Sequence, residues 1–103
     1  MSEEIKMNDV TKSIDLPGGN HIVLLDRLAK ESIYGDVECA RNIFMLDSTG
    51  QPTWQIISDF DKDGGSFTNI LLEDGVLKGY RWDGGVYKID MATGKATPTL
   101  LTK

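Results

Sequence analysis

Apolar positions along this chain come in short clusters, each closed by glycine, asparagine, aspartate or proline before a helical period can be established. The clusters span residues 13–16, 21–26, 42–47, 53–58, 68–73, 76–82, 86–90 and 95–101. Runs of this length, rich in β-branched and aromatic residues and bounded by turn formers, predict strands. Pro17-Gly18-Gly19-Asn20, Asp47-Ser48-Thr49-Gly50, Asp74-Gly75, Asp83-Gly84-Gly85 and Ala92-Thr93-Gly94 each supply a residue that tolerates positive φ, as tight hairpins require. Connections so short make neighbours antiparallel, because a parallel crossover takes about a dozen residues. The expected fold is therefore all-β, an antiparallel meander of about seven or eight short strands. Only residues 27–40 hold good helix formers, and they predict one short helix at most.

Alternation within the clusters predicts depth. Ile22-Val23-Leu24-Leu25 and Ile43-Phe44-Met45-Leu46 are apolar at every position, as expected of strands covered on both faces. In 76–82, by contrast, Val76, Lys78, Tyr80 and Trp82 share one face and Leu77, Gly79 and Arg81 the other, a half-exposed pattern. A sheet with two apolar faces needs a second layer. Both a curled single sheet and a two-sheet sandwich satisfy that need. Residues 1–12 carry only Ile5, Met7 and Val10 as scattered apolar positions and are expected to form a flexible segment ahead of a single domain over 13–103.

Two stretches repeat one design. Residues 43–54 and 86–98 each run as a strand ending in aspartate, a turn closing on Thr-Gly, and a second strand three residues on. An aspartate there can accept backbone N–H groups ahead of it while the glycine returns the chain. Asp47 and Asp90 lie 43 positions apart, within the spacing of propeller-type repeats. Tyr87, Ile89, Asp90, Thr93, Gly94 and Lys95 in the second copy, and Phe44, Leu46, Asp47, Thr49, Gly50 and Trp54 in the first, resemble the repeat hairpins of the quinoprotein-like β-propellers, those of pyrroloquinoline-quinone-dependent dehydrogenases and their non-enzymatic relatives. The second copy departs from that pattern by Pro98 in place of the tryptophan, and the first by one missing turn residue. The resemblance implies propeller-blade-like sheets. A closed propeller takes four to eight blades of four strands, and 103 residues hold about two. That leaves a two-blade-like pair of sheets, or an assembly in which several chains share the closure.

Composition narrows the function. The chain is 40% hydrophobic and 26% charged, an ordinary globular balance. Its formal net charge of -5 argues against nucleic acid or an anionic membrane as partner, since phosphates repel an acidic surface. No stretch approaches the roughly 20 apolar residues of a membrane-spanning helix, and Met1 to Thr11 show no apolar h-region of a secretory signal. Cys39 is the single cysteine, which fits a reducing compartment. Cytoplasm is the expected location.

The sharpest local motif is Asp59-Phe60-Asp61-Lys62-Asp63-Gly64, three alternate carboxylates and a glycine, which is the first half of a calcium loop. An EF-hand-type loop then needs a glutamate at its twelfth position, occupied here by Ile70; the propeller-loop version needs an acid at its ninth, occupied by Phe67. Lys62 adds a positive charge inside the loop. Asp59, Asp61 and Asp63 are the candidate calcium ligands, set against a plain solvated acidic loop. His21 is the only histidine and reads as a strand-entry residue, which leaves no histidine pair for zinc and no supported partner for Cys39. No glycine-rich phosphate loop is present, and no catalytic or organic-cofactor site is predicted. Trp54, Tyr80, Trp82 and Tyr87, with Arg81 at the rim, are the candidate binding patch, set against simple core filling. The expected function is a non-catalytic protein-interaction module, binding a partner protein or a second copy of itself. The alternative is a small-ligand or calcium-binding module built on Asp59 to Gly64.

Overall fold

The computed structural model describes residues 9–27, 30–59, 61, 65–82 and 84–101. Eight strands form two four-stranded antiparallel sheets, each a meander in chain order. Sheet one holds β1 (Val10–Asp15), β2 (His21–Leu25), β3 (Ile43–Leu46) and β4 (Pro52–Gln55). Sheet two holds β5 (Phe67–Glu73), β6 (Val76–Arg81), β7 (Gly85–Ile89) and β8 (Ala96–Leu101). The all-β meander is thus the observed fold, and of the two expected layer arrangements the chain adopts two separate sheets. β1 begins at Val10, so Val10, Thr11 and Lys12 belong to the sheet and not to the flexible segment expected over 1–12; the rest of that segment, 1–8, lies outside the described residues. Between β2 and β3 stand two single-turn helices where one was expected, α1 (Glu31–Tyr34) and α2 (Asp36–Ala40), separated by Gly35. Among the described residues no helix is long and apolar enough to cross a membrane.

The inner faces of the two sheets share one core. Ile22, Leu24, Ile43, Met45 and Ile56 from the first side meet Phe67, Ile70, Leu77, Tyr87, Ile89 and Ala96 from the second. Each fully buried aliphatic among them contributes roughly 1.5–3 kcal/mol. On the other face of sheet one, Val23, Leu25, Phe44 and Leu46 form a second buried cluster with Val10 packed against it. A bulge between Val10 and Lys12 rotates Val10 to that outer face, while Ile14 and Leu16 pack on the inner core. β2 and β3 are therefore buried on both faces, as their unbroken apolar runs predict.

Several polar links join the sheets. Asn42, 1% exposed, donates to the carbonyls of Leu25 (2.7 Å) and Phe67 (2.8 Å) and accepts from the Phe67 N–H at 2.9 Å. Lys12 reaches across to the Ile70 carbonyl at 2.6 Å and to Asn69 at 3.0 Å. Beyond β4 the chain crosses over, and Ile57 makes a parallel bridge with Lys95 at the start of β8, donating to the Gly94 carbonyl and accepting from the Ala96 N–H.

Candidate functional site

The two repeated hairpins are β3–β4 and β7–β8, the third and fourth strands of their respective sheets. Asp47 Oδ1 accepts from the Thr49 N–H at 2.9 Å, the Thr49 hydroxyl at 2.6 Å and the Gln51 N–H at 3.0 Å. Asp90 Oδ1 accepts from the Ala92 N–H at 2.9 Å. Gly50 (φ 89°) and Gly94 (φ 83°) take the left-handed position that returns each chain. The hydrogen bond from Thr49 Oγ1, followed by those from Gln51 and the turn N–H groups, holds the Asp47 carboxyl below its ordinary value. These carboxylates are occupied with their own turns.

The described acids of the acidic motif, Asp59 and Asp61, each take basic side chains. Asp61, buried, accepts from Arg81 Nη2 at 2.7 Å and Arg41 Nε at 2.8 Å, and from the Ser58 N–H (3.0 Å) and hydroxyl (2.9 Å). Arg81 is itself buried, its guanidinium 4.4 Å from the ring centre of Phe67 and 4.7 Å from that of Tyr87, with Nη1 donating to the Tyr87 hydroxyl at 3.3 Å. Burial by itself would raise the Asp61 carboxyl; the hydrogen bonds from Ser58, Arg41 and Arg81 outweigh it and hold the group below its ordinary value. Such charge-assisted contacts offset desolvation only when nearly every oxygen lone pair is used, as here. Asp59 is highly exposed and takes Lys95 at 3.1 Å. Asp63 lies outside the described residues. Among the described residues no group of three or more potential ligand side chains is placed to hold a metal. Both oxygens of Asp61 accept from guanidinium donors.

The five patch residues divide. Arg81 and Tyr87 belong to the buried cluster just described, a correction to their expected place on a surface; alternation along β6 puts Arg81 on the inner face with Leu77. Trp54 is half-buried against the core, its indole N–H donating to the Met91 carbonyl at 2.8 Å. Its ring lies on the second turn so closely that a Cβ at Gly94 would come within 2.6 Å of it. Trp54 therefore docks the first hairpin onto the second. Tyr80 and Trp82 alone face outward, on sheet two. Tyr80 is half-buried and Trp82 is 60% exposed, its indole lying against Gly65 so that any Cβ there would overlap the ring.

The outer face of sheet two is thus a mixed surface. Register places Tyr80 opposite Val86 and Lys78 opposite Lys88, with Leu71 beside Lys78 on β5. Val76, half-buried, ends the stripe above a groove at the turn end of the sheet. His21 opens β2, as expected of a strand-entry residue, and Cys39, in no disulfide, is buried in α2. Sequence reasoning missed Asn42, Arg41 and Ser58; only the position of Asn42, a polar residue directly ahead of an unbroken apolar strand, signals a buried side-chain staple.

One family model matches residues 3–101 and is described as a domain of unknown function, DUF7957. No curated protein and no solved structure matches the chain.

Proposed function

The chain belongs to the DUF7957 family, and on that premise we propose that it is a non-catalytic protein-interaction module that docks its partner on the outer face of sheet two. Trp82 carries the reading. A large ring, 60% exposed and seated on the backbone of Gly65, has little conformational freedom left to lose on binding. Trp and Tyr are the side chains that most often dominate interface energetics. Tyr80, Val86 and Leu71 extend the apolar surface beside it. The alternative calcium reading is weaker because Asp61 accepts from Arg81 and Arg41. A single cysteine, Cys39, in no disulfide fits a cytoplasmic setting. Two four-stranded meanders with the same aspartate-glycine hairpin at their third and fourth strands also support a two-blade-like reading of the repeat.

A photocrosslinking amino acid at position 82 tests the docking face in living cells. A discrete adduct is expected from position 82, and none from the same label at Ser13, which is exposed on sheet one. An adduct with a second copy of the chain identifies self-association. Equal labelling from both positions, or no adduct from 82, refutes the reading.

A further inference from the structure

Building on that docking face, we infer that it takes an extended acidic segment of a partner protein, whose outward side chains run apolar, acidic, apolar, with the central carboxylate seated between Lys78 and Lys88. Along the strands, Tyr80 and Val86 form an apolar row and Lys78 and Lys88 a cationic row; beyond them Val76, which pairs with Glu73 on β5, borders a groove lined in part by Leu77, Ile89 and Met91. Successive rows on one face are two residues apart, about 7 Å, the repeat of an extended chain laid against them.

The cationic row is what calls for a partner. Lys78 and Lys88 are direct cross-strand neighbours, an arrangement of like charges that destabilises a sheet unless an anion sits between them. Within the protein that anion is missing at Lys88, which has no ion pair among the described residues. Of the acids nearby, Glu73 lies 3.9 Å from Lys78, Asp59 takes Lys95 at 3.1 Å, and Asp90, at the edge of the adjoining groove, accepts the Ala92 N–H of its own turn through Oδ1. The adjoining groove, about 500 Å³, is lined by Val76, Leu77, Ile89 and Met91 together with the charged Lys88, Lys95 and Asp90, ample room for an apolar side chain with cations at its rim. A carboxylate flanked by apolar residues satisfies both features. A polyphosphate chain does not, because the face offers one lysine pair and no run of cations to follow it.

The test is a titration of the full chain, followed by amide and indole N–H resonances, with a heptapeptide of threonines interrupted at alternate positions by leucine, glutamate and leucine. Saturable shifts are expected at Val76, Lys78, Lys88 and the Trp82 indole, weakening as salt rises. Replacing the peptide glutamate by glutamine, or Lys88→Glu in the protein, is expected to weaken binding roughly tenfold, and Lys88→Gln to fall between. The unchanged spectral dispersion of both variants shows that they fold. If the glutamine peptide binds as tightly with the same Trp82 shift, the docking face stands and the acidic partner is refuted. If shifts avoid sheet two, or none saturates, both readings fall. Tighter binding of oligothymidylate or of phosphatidylserine vesicles at Lys78 and Lys88 overturns the peptide in favour of those partners.

Discussion

Sheets one and two share strand number, topology and the chemistry of their last hairpin, yet they stand differently toward water. In sheet one both faces of the central strands are buried; in sheet two the inner face is buried and the outer face carries Trp82, Tyr80, Leu71 and a lysine pair. Strand count and turn chemistry set the meander, and the side-chain period sets which faces must be covered. A continuous apolar run commits a strand to a second layer, and Gln55, on the outer face of sheet one opposite Phe44, ties α2 to that layer through Glu38 (2.9 Å) and the Arg41 carbonyl (2.9 Å). Alternation in β6 and β7 leaves a face free for other uses.

The contrast breaks most sharply at Phe44. Phe44→Ala, on the outer face of sheet one, is expected to cost about 3–5 kcal/mol in urea unfolding. Leu71→Ala, on the equivalent face of sheet two, should cost below about 1 kcal/mol; similar losses at both positions would mean that the two outer faces are equally covered. Asp61→Asn removes the partner of a buried guanidinium and is expected to lose about 3–5 kcal/mol. Replacing Asp61 and Arg81 together by apolar residues should recover part of that loss, and a double-mutant cycle measures how much.

Acid probes the same pair. The folded-state value of Asp61 lies below its ordinary 3.8, so its stabilisation is complete above about pH 4–5 and is lost as pH falls through the depressed folded value. The urea midpoint is expected to hold level above that window and decline below it. Asp61→Asn should flatten the decline except for what Asp47, shifted in the same direction, contributes.

The two hairpins sharpen the comparison further. Gly94→Ala meets both a left-handed backbone and the Trp54 ring and is expected to cost about 2–4 kcal/mol by thermal unfolding. Gly50→Ala, with open space around it, should cost about 1–2 kcal/mol from the backbone alone. Smallest of all, Trp82→Ala should change stability by less than about 1 kcal/mol while abolishing the peptide binding that depends on that face.

Much of this was legible beforehand. All eight strands fall within two or three residues of the predicted clusters, because turn residues and period-two alternation act locally and leave a local record. The Asp47 and Asp90 turns form as their residues require, for the same reason. The candidate site was legible only in part. Alternation along β6 already separated Arg81 from Trp82, but nothing in the order of residues told an aspartate at 61 that its partners would be Arg41 and Arg81, 20 positions away on either side.

The chain by itself determined where it turns, which way each strand faces and which strands must lie deepest, since these follow from backbone sterics and from the repeat of side chains along a strand. Only the tertiary structure decided that four strands stop and four begin anew, that Asn42 staples the two sheets, and that Asp61 closes on Arg41 and the buried Arg81. Those outcomes depend on groups far apart in sequence meeting in a space from which water is excluded, where an unpaired charge or amide is too costly to leave and the nearest complementary group must be found.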